Sequence, residues 1–376
     1  MRVARLQVRN FRNHDDSRLE FGESMNVLLG GNGQGKTNLI EAISYIGLTK
    51  SFFSVSDAVA LQFGKECFEI QGVIVPESGK TSTVVIRFDG KLGEKEIVVN
   101  RVPLEKFNML VGRFPLVVLS PESARITFGP PADRRKFLDL VLSQQSRAYF
   151  EDILEYRRVL RQRNTLLADG RIRGGCPDSM LSPWSQSLVE LGSRIVQRRR
   201  DFVNDFRGRL ARVYSMLAGR HEDVDGQYKT TPLREPDADA ASIARGLEAE
   251  LERMKPEELR RGLTLVGPHR DDLAMTINGT NVQAYASQGQ HKTLLLAMKI
   301  AEFEYLRETI EEMPVLLLDD LFGELDAERS ERIIAVVSRL GQSIITATGD
   351  GMFGNSVTWN GKHRRFCVEN GTCRPA

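Results

Sequence analysis

The chain has 376 residues, 41% apolar and 27% charged, with a formal net charge of +2, so it can bury a large core and fits one large domain or two smaller ones. No apolar run approaches bilayer length, the opening MRVARLQVRNFRNH lacks a signal-peptide apolar region, and Cys67, Cys176, Cys367 and Cys373 show no metal-ligand spacing. A soluble, cytoplasmic protein with reduced thiols is expected.

In chain order, positions 1 to 30 read as β structure: Val3, Leu6, Val8 and Phe11, then Leu19 and Phe21, then the buried run Met25 to Leu29. Directly after that run, Gly30, Gly31, Asn32, Gly33, Gln34, Gly35, Lys36 and Thr37 fit the pattern G-x-x-x-x-G-K-[ST]. In such a loop successive backbone N–H groups wrap around phosphate oxygens. Glycine is needed where the backbone turns left-handed and where a phosphate comes close to the main chain. Lys36 is suited to reach the β- and γ-phosphates and Thr37 to offer its hydroxyl to Mg2+. The helix that follows, marked by Leu39, Ile40, Ile43 and Ile46, turns its positive dipole end to the same place.

From about 66 to 102, CFEIQGVIV, TSTVVIRFDG and KEIVVN read as short antiparallel strands, and PLVVLSPES at 115 to 123 as a buried strand ending in a proline turn. After Pro130 and Pro131 the character becomes helical. One helix is predicted over about 145 to 168. An amphipathic one covers 188 to 217, where Leu188, Leu191, Ile195, Phe202, Phe206, Leu210, Val213 and Leu217 recur mostly at three- and four-residue steps. The Gly- and Pro-bearing stretch 171 to 183 links them. The predicted organisation is a helical arm, 132 to 262, interrupting a nucleotide-binding core made of 1 to 131 and 263 to 376. Positions 141 to 220 hold 15 arginines, no lysine and 8 acidic residues, whereas 221 to 260 hold 11 acidic and 6 basic residues. This asymmetry fits a polyanion-facing surface beside an acidic one, or simply solvated helix faces.

Two further elements complete a catalytic set. VLLLDDLFGELD, 315 to 326, reads as a buried strand ending in two carboxylates, with Asp326 in a nearby turn. Asp319 is the residue type that holds hydrated Mg2+ opposite Thr37, and Asp320 one that orients or deprotonates an attacking water; the bland alternative is a helix cap. About thirty residues earlier, Ser287, Gln288, Gly289 and Gln290 open a helix-forming segment and resemble the L-S-G-G-Q signature of the ATP-binding-cassette superfamily. There the serine and glycine amides contact the γ-phosphate held by the opposite subunit. The resemblance implies that one chain cannot complete its own site and that a two-fold homodimer encloses two ATP molecules.

Taken together, LQVRNFRNH, GGNGQGKTNLIEAISY, FGPPADRRKFLD (128 to 139), LVGPHRDDL (265 to 273), SQGQHKT and LLLDDLFGELD resemble the RecF family of bacterial DNA replication and repair ATPases, related to the structural-maintenance-of-chromosomes proteins. The resemblance covers residue 1 to about 350. It implies an α/β fold, an ABC-type P-loop ATPase head carrying a short inserted helical arm lobe. It also implies a weak, DNA-stimulated ATPase that dimerises with ATP and Mg2+, binds DNA at gaps and junctions, and releases it after slow hydrolysis, acting with RecO and RecR to load RecA. By the same resemblance Arg12 and Asn13 lie near the nucleotide and Asp326 belongs to a turn that senses the partner. The arm arginines Arg157, Arg158, Arg161, Arg198, Arg199 and Arg200 are the candidates for DNA phosphates. Two departures stand out: Phe53 occupies a place where relatives carry a basic residue, and IITATGDG, 344 to 351, offers Thr346 and Thr348 in place of the cassette histidine. A transporter subunit would lack the arm and carry that histidine. An architectural clamp would need long heptad arms, and a nuclease-coupled ATPase a separate acidic metal cluster, for which the tail after Asp350 is too short.

Overall fold

A computed structural model describes the chain apart from residues 53–55, 78, 219–221, 232–238, 321–326, 352 and 354–356, and apart from the side chains of 327–329. Phe53 and Asp326 therefore lie outside the described residues. The elements run β1 (Arg2–Phe11), β2 (His14–Glu20), β3 (Met25–Leu29), α1 (Lys36–Leu48), β4 (Cys67–Val75), β5 (Ser82–Asp89), β6 (Glu94–Val99), β7 (Val102–Pro103) and β8 (Leu116–Leu119). They continue through α2 (Arg125–Phe128), α3 (Pro131–Gln145), α4 (Arg147–Arg173), α5 (Asp178–Ala218), β9 (Val224–Lys229), α6 (Ala240–Arg261), β10 (Asp272–Ile277), β11 (Thr280–Asn281), α7 (Val282–Tyr285) and α8 (Gln288–Thr309). The last are β12 (Val315–Leu318), α9 (Ala327–Val337), β13 (Ser343–Ala347), β14 (Arg364–Glu369) and β15 (Thr372–Pro375).

The chain forms two compact units, Met1–Ala124 with Leu295–Ala376, and Arg125–Leu294. The first contains two six-stranded sheets. One, ordered β2-β1-β4-β5-β6-β7, is antiparallel throughout. The other, β15-β14-β3-β13-β12-β8, is parallel from β14 to β8 with β15 antiparallel at its edge. Its inner strands MNVLL, VLLL and SIITA are continuous apolar runs, as strands covered on both faces require. Helix α1 packs against strands of both sheets, and its apolar residues are buried on all sides rather than along one stripe. In β1, Val3 and Leu6 are both buried although three residues apart. A bulge between Val3 and Arg5 supplies the extra residue that returns both side chains to one face.

The second unit is held by charged groups inside it as well as by apolar packing. Arg163 of α4, 2% exposed, donates to Glu258 of α6 at 2.6 Å, to Thr264 at 2.8 Å and to Ser185 of α5 at 3.0 Å. Arg134 makes a two-pronged pair with Asp272 at 2.6 and 2.9 Å, and Arg135 donates to the Asp271 carbonyl at 2.7 Å, so the GPPADRR and GPHRDD stretches bind each other. Two features depart from the sequence reading. Helix α5 begins at Asp178 and carries Pro183 within it, so the expected linker shrinks to a short turn; as the sixth helical residue Pro183 lies past the four N–H groups that lack an intrahelical acceptor, and it removes one backbone hydrogen bond from the second turn. And β9, inside the stretch read as a helical arm, pairs with β10 from Asp272↔Lys229 to Ile277↔Val224, which joins residues on both sides of position 262 in one three-stranded sheet.

Candidate nucleotide site

The order β3-β13-β12 in the parallel sheet aligns three strand ends, and the chemistry collects at their carboxyl ends, where ligands of open α/β sheets bind. After β3 the loop 30 to 35 is anchored by the Gly30 amide on the Ala347 carbonyl at 3.2 Å. Gly33 and Gly35 have φ of 78° and 110°, left-handed values that a side chain would strain. A Cβ on Gly35 would also fall 2.5 Å from Asn13 Oδ1 and 2.8 Å from His14 Nε2. Helix α1 starts at Lys36 with no side-chain cap and no acidic residue in its first turn, leaving its first N–H groups and positive end for an anion.

Lys36 is buried, and its Nζ donates to the Gly30 and Gly31 carbonyls at 2.6 and 2.7 Å. Burial lowers its pKa, while the carboxylates of Asp319 and Asp320 oppose that. Asp319, at the end of β12, accepts on one oxygen from Thr37 Oγ1 and from Thr346 Oγ1, each at 2.9 Å. Burial raises its pKa; the two hydroxyls pull it down, and Asp320 and Glu122 push it up. Asp320 is exposed, has a left-handed φ of 52°, and is anchored by its backbone amide on Thr346 Oγ1 at 2.9 Å. Thr346 thus engages its hydroxyl with the acidic pair, whereas Thr348 is exposed.

The N-terminal stretch supports the loop. Asn13 donates to the Gln34 carbonyl at 3.1 Å and accepts from Asn38 at 2.8 Å. Arg12 forms a two-pronged pair with the buried Glu41 of α1, at 2.7 and 2.8 Å, and donates to the Val59 carbonyl. Sequence reasoning missed two supports. Buried His14 lies 3.0 Å from the Gly35 carbonyl and 2.9 Å from Ser17, its pKa lowered by burial. The turn between β14 and β15 holds Gln34 from the other side: the Asn370 amide donates to its side chain at 2.7 Å and the Gly371 amide to its carbonyl at 3.0 Å. The Asn-Gly pair between two short strands was the signal available for that turn.

Ser287 to Gln290 belong to the second unit. The Ser287 hydroxyl accepts from the Gln290 amide at 3.2 Å and the Gln290 side chain from the Ser287 amide at 2.9 Å, a reciprocal box at the start of α8. Gln290 also donates to Glu222 at 3.1 Å; Ser287 and Gln288 are exposed, Gly289 and Gln290 partly so. The arm arginines divide. Arg199 is 1% exposed and bound to Asp139, Tyr149 and the Pro268 carbonyl, so its guanidinium lies inside the unit and not on its surface. Arg157 pairs with Asp139, Arg158 with Glu155, Arg198 with the Ser146 hydroxyl and Arg200 with Asp201, while Arg161 is exposed.

Among the described residues no group of three or more His, Cys, Asp or Glu converges as a metal cluster, and no helix is long and apolar enough to cross a membrane. The family model of the RecF/RecN/SMC N terminal domain matches residues 2–366. The DNA replication and repair protein RecF of Chloroherpeton thalassium is 44% identical over 93% of this chain and 95% of its own length. That of Symbiobacterium thermophilum is 38% identical over 99% and 98%. Among solved structures, the recombination mediator protein RecF-ATPrS in the RecFOR pathway superposes with a TM-score of 0.91 at 30% identity, over all of this chain and 98% of that one. An Smc head domain from Pyrococcus furiosus, at 12% identity and a TM-score of 0.57, shares the fold. Matched along nearly its full length in sequence and in structure, the chain belongs to the RecF family.

Proposed function

We propose that this chain is an ATP-dependent DNA-binding recombination mediator of DNA replication and repair. ATP drives it to dimerise on DNA at gaps or junctions, slow hydrolysis releases it, and it acts with RecO and RecR to load RecA. The relatives' name and the RecFOR pathway of the RecF structures support the biological part of this reading. The observation that carries the chemistry is the 2.9 Å hydrogen bond between Thr37 and Asp319, residues 282 positions apart that meet beside the phosphate loop.

The donor set suits Mg2+: a hydroxyl and a buried carboxylate are hard oxygens, and this ion takes one or two protein ligands beside phosphate and water. Thr37 and Asp319 would hold it, and bound there it would neutralise charge on the phosphate oxygens. In this reading Gly30 to Gly35 wrap the phosphates with backbone N–H groups, and Lys36 exchanges its loop carbonyls for phosphate oxygens. Asp320 orients the attacking water from a position fixed by Thr346. Aspartate is one methylene shorter than the glutamate common at that place, so turnover is slow. Ser287 to Gln290 of one protomer face the nucleotide of its partner, with Asp326 in the turn that senses it. Because ATP shifts the subunit equilibrium only by the contacts it adds across the dimer, hydrolysis removes the bridge. Arg157, Arg158, Arg161, Arg198 and Arg200 of the arm supply contacts to DNA phosphates, which weaken steeply with salt.

The test mixes the protein with gapped duplex and measures mass and DNA binding without nucleotide, with ATP and with a non-hydrolysable analogue. Dimerisation and DNA retention should require nucleotide, Lys36→Ala should abolish the ATP effect, and Asp320→Ala should lock the bound state. A monomer that turns over ATP rapidly without DNA would overturn the reading.

A further inference from the structure

The GPPADRR and GPHRDD stretches do more than bind each other. Between α3, α4 and α5, within the second unit, lies a cavity of about 200 Å³ lined by Arg135, Lys136, Asp139, Arg157, Arg199 and His269, with Tyr156 in its wall. That is many times the space one water needs. Its charge is unbalanced. Asp139 is the one carboxylate among the described residues that line it, and it already accepts from Arg199 at 2.7 Å, Arg157 at 2.9 Å and Tyr149 at 2.6 Å. Arg135 donates to the backbone carbonyl of Asp271 and has the carboxylates of Asp271 and Asp272 as partial counter-charge, the second already paired with Arg134, and exposed Lys136 has no carboxylate within ion-pair distance among the described residues.

The histidine does not add to this charge, because its neighbours hold it neutral. Its Nε2 faces the Thr264 carbonyl at 3.2 Å and so carries the proton, while Nδ1 accepts from the Tyr156 hydroxyl at 2.7 Å. Burial, followed by nearby arginines, lowers its pKa to about 4. The surplus therefore sits on guanidinium and ammonium groups. Arg199 is buried, and Arg135 has a lowered pKa, first through burial and then through the charge of Arg199. Like charges gathered in a partly desolvated cavity raise its free energy unless an anion joins them. Arg–phosphate hydrogen bonding is the strong, planar interaction that such a fork supplies.

We propose that this cavity is a binding site for a phosphate group, gripped by Arg135, Lys136 and Arg157 with Arg199 behind them. Lys136 and Arg157 at the rim are solvent-accessible, and exposed Arg161 follows one turn along α4, so the group can arrive on a strand as well as free. The strand source rests on the DNA-binding reading above; the anion site does not.

The first arm of the experiment uses the full chain carrying Lys36→Ala, so that the phosphate loop is disabled, and compares it with the same chain carrying Arg135→Gln and Lys136→Gln. Inorganic phosphate titrated by calorimetry should bind the first, and the added substitutions should weaken it at least about tenfold, the worth of one lost charge-assisted hydrogen bond. Lys136→Gln alone, at an exposed position, should weaken it in the same direction in a chain whose melting is unchanged. In the second arm, on the wild-type phosphate loop, a short duplex is offered with a 5′-phosphate or a 5′-hydroxyl. A preference for the phosphate that vanishes with the two substitutions identifies a strand terminus as the source. Equal binding of both duplexes, with phosphate binding lost in the first arm, identifies a free phosphate. Unchanged affinity for inorganic phosphate and for both duplexes in the substituted chains would overturn the proposal. ATP-dependent binding of the hydroxyl duplex reports separately on the general DNA reading.

Discussion

Thr346 of β13 donates its hydroxyl to Asp319 at 2.9 Å, to the oxygen that also receives Thr37, and the same hydroxyl accepts the Asp320 amide at 2.9 Å. One side chain on the strand between β3 and β12 therefore sets the position of both acidic residues. Thr346→Val should leave a buried carboxylate short of a donor and weaken Mg2+-dependent ATP turnover by about tenfold or more, the range for a hydrogen bond to a charged group. Thr346→Ser should restore most of it. Turnover measured across a Mg2+ titration checks this, and a Val variant with wild-type Mg2+ dependence would contradict it.

Arg12 is tied to Glu41, whose side chain is 1% exposed. Removing the guanidinium strands a buried carboxylate, so Arg12→Ala should cost about 3 to 5 kcal/mol. Replacing both residues with methionine should cost clearly less, since no unpaired charge remains. Denaturant unfolding of the two variants distinguishes a pair that anchors β1 to α1 from an arginine whose role is confined to the nucleotide.

Gly371 has a φ of 74°, and a Cβ there would fall on the Asn13 carbonyl. Gly371→Ala should displace the β14–β15 turn from Gln34 and loosen the phosphate loop, weakening ATP binding several-fold. Asn370→Gly, which tolerates the left-handed turn, should have a smaller effect. Fluorescent-nucleotide titration reads both.

His269 and Asp271 form an opposed pH pair. Burial lowers the His269 pKa from 6.5 to about 4 and raises that of Asp271 from 3.8 to about 6. Neutral His269 contributes stability that is complete above pH 6.5 and lost as pH falls through 4; protonated Asp271 contributes stability that is complete below pH 3.8 and lost as pH rises through 6. Each displacement corresponds to about 3 kcal/mol, so between pH 4 and 6 the two nearly cancel. Relative to wild type, Asp271→Asn should make the melting temperature climb more steeply with pH across this window. His269→Gln should make it climb less. Parallel profiles for all three proteins would refute the pairing.

The phosphate loop, the helix after it and the Asp319–Asp320 strand end were legible in the sequence because their signals are local. Glycines at left-handed turns, a lysine and a threonine at fixed spacing, and an apolar run ending in carboxylates depend on backbone geometry within a few residues. The sequence offers Thr346 only as one of two hydroxyls in place of the cassette histidine, since nothing in IITATGDG says that β13 lies between β3 and β12. Likewise the hold of Asn370 and Gly371 on Gln34 joins residues more than 300 positions apart, and β9 was hidden in a stretch dominated by helical patterns.

Arginine content by itself announced a cationic lobe, yet the same residue type turned out to serve opposite ends. Arg163 and Arg199 are buried bolts, Arg161 is exposed, and Arg135 faces a cavity. From the primary structure came the family and the residues of the candidate nucleotide site. Folding decided which cations find a carboxylate and which remain in surplus, because pairing depends on through-space distance and desolvation, quantities that composition and spacing along the chain do not contain.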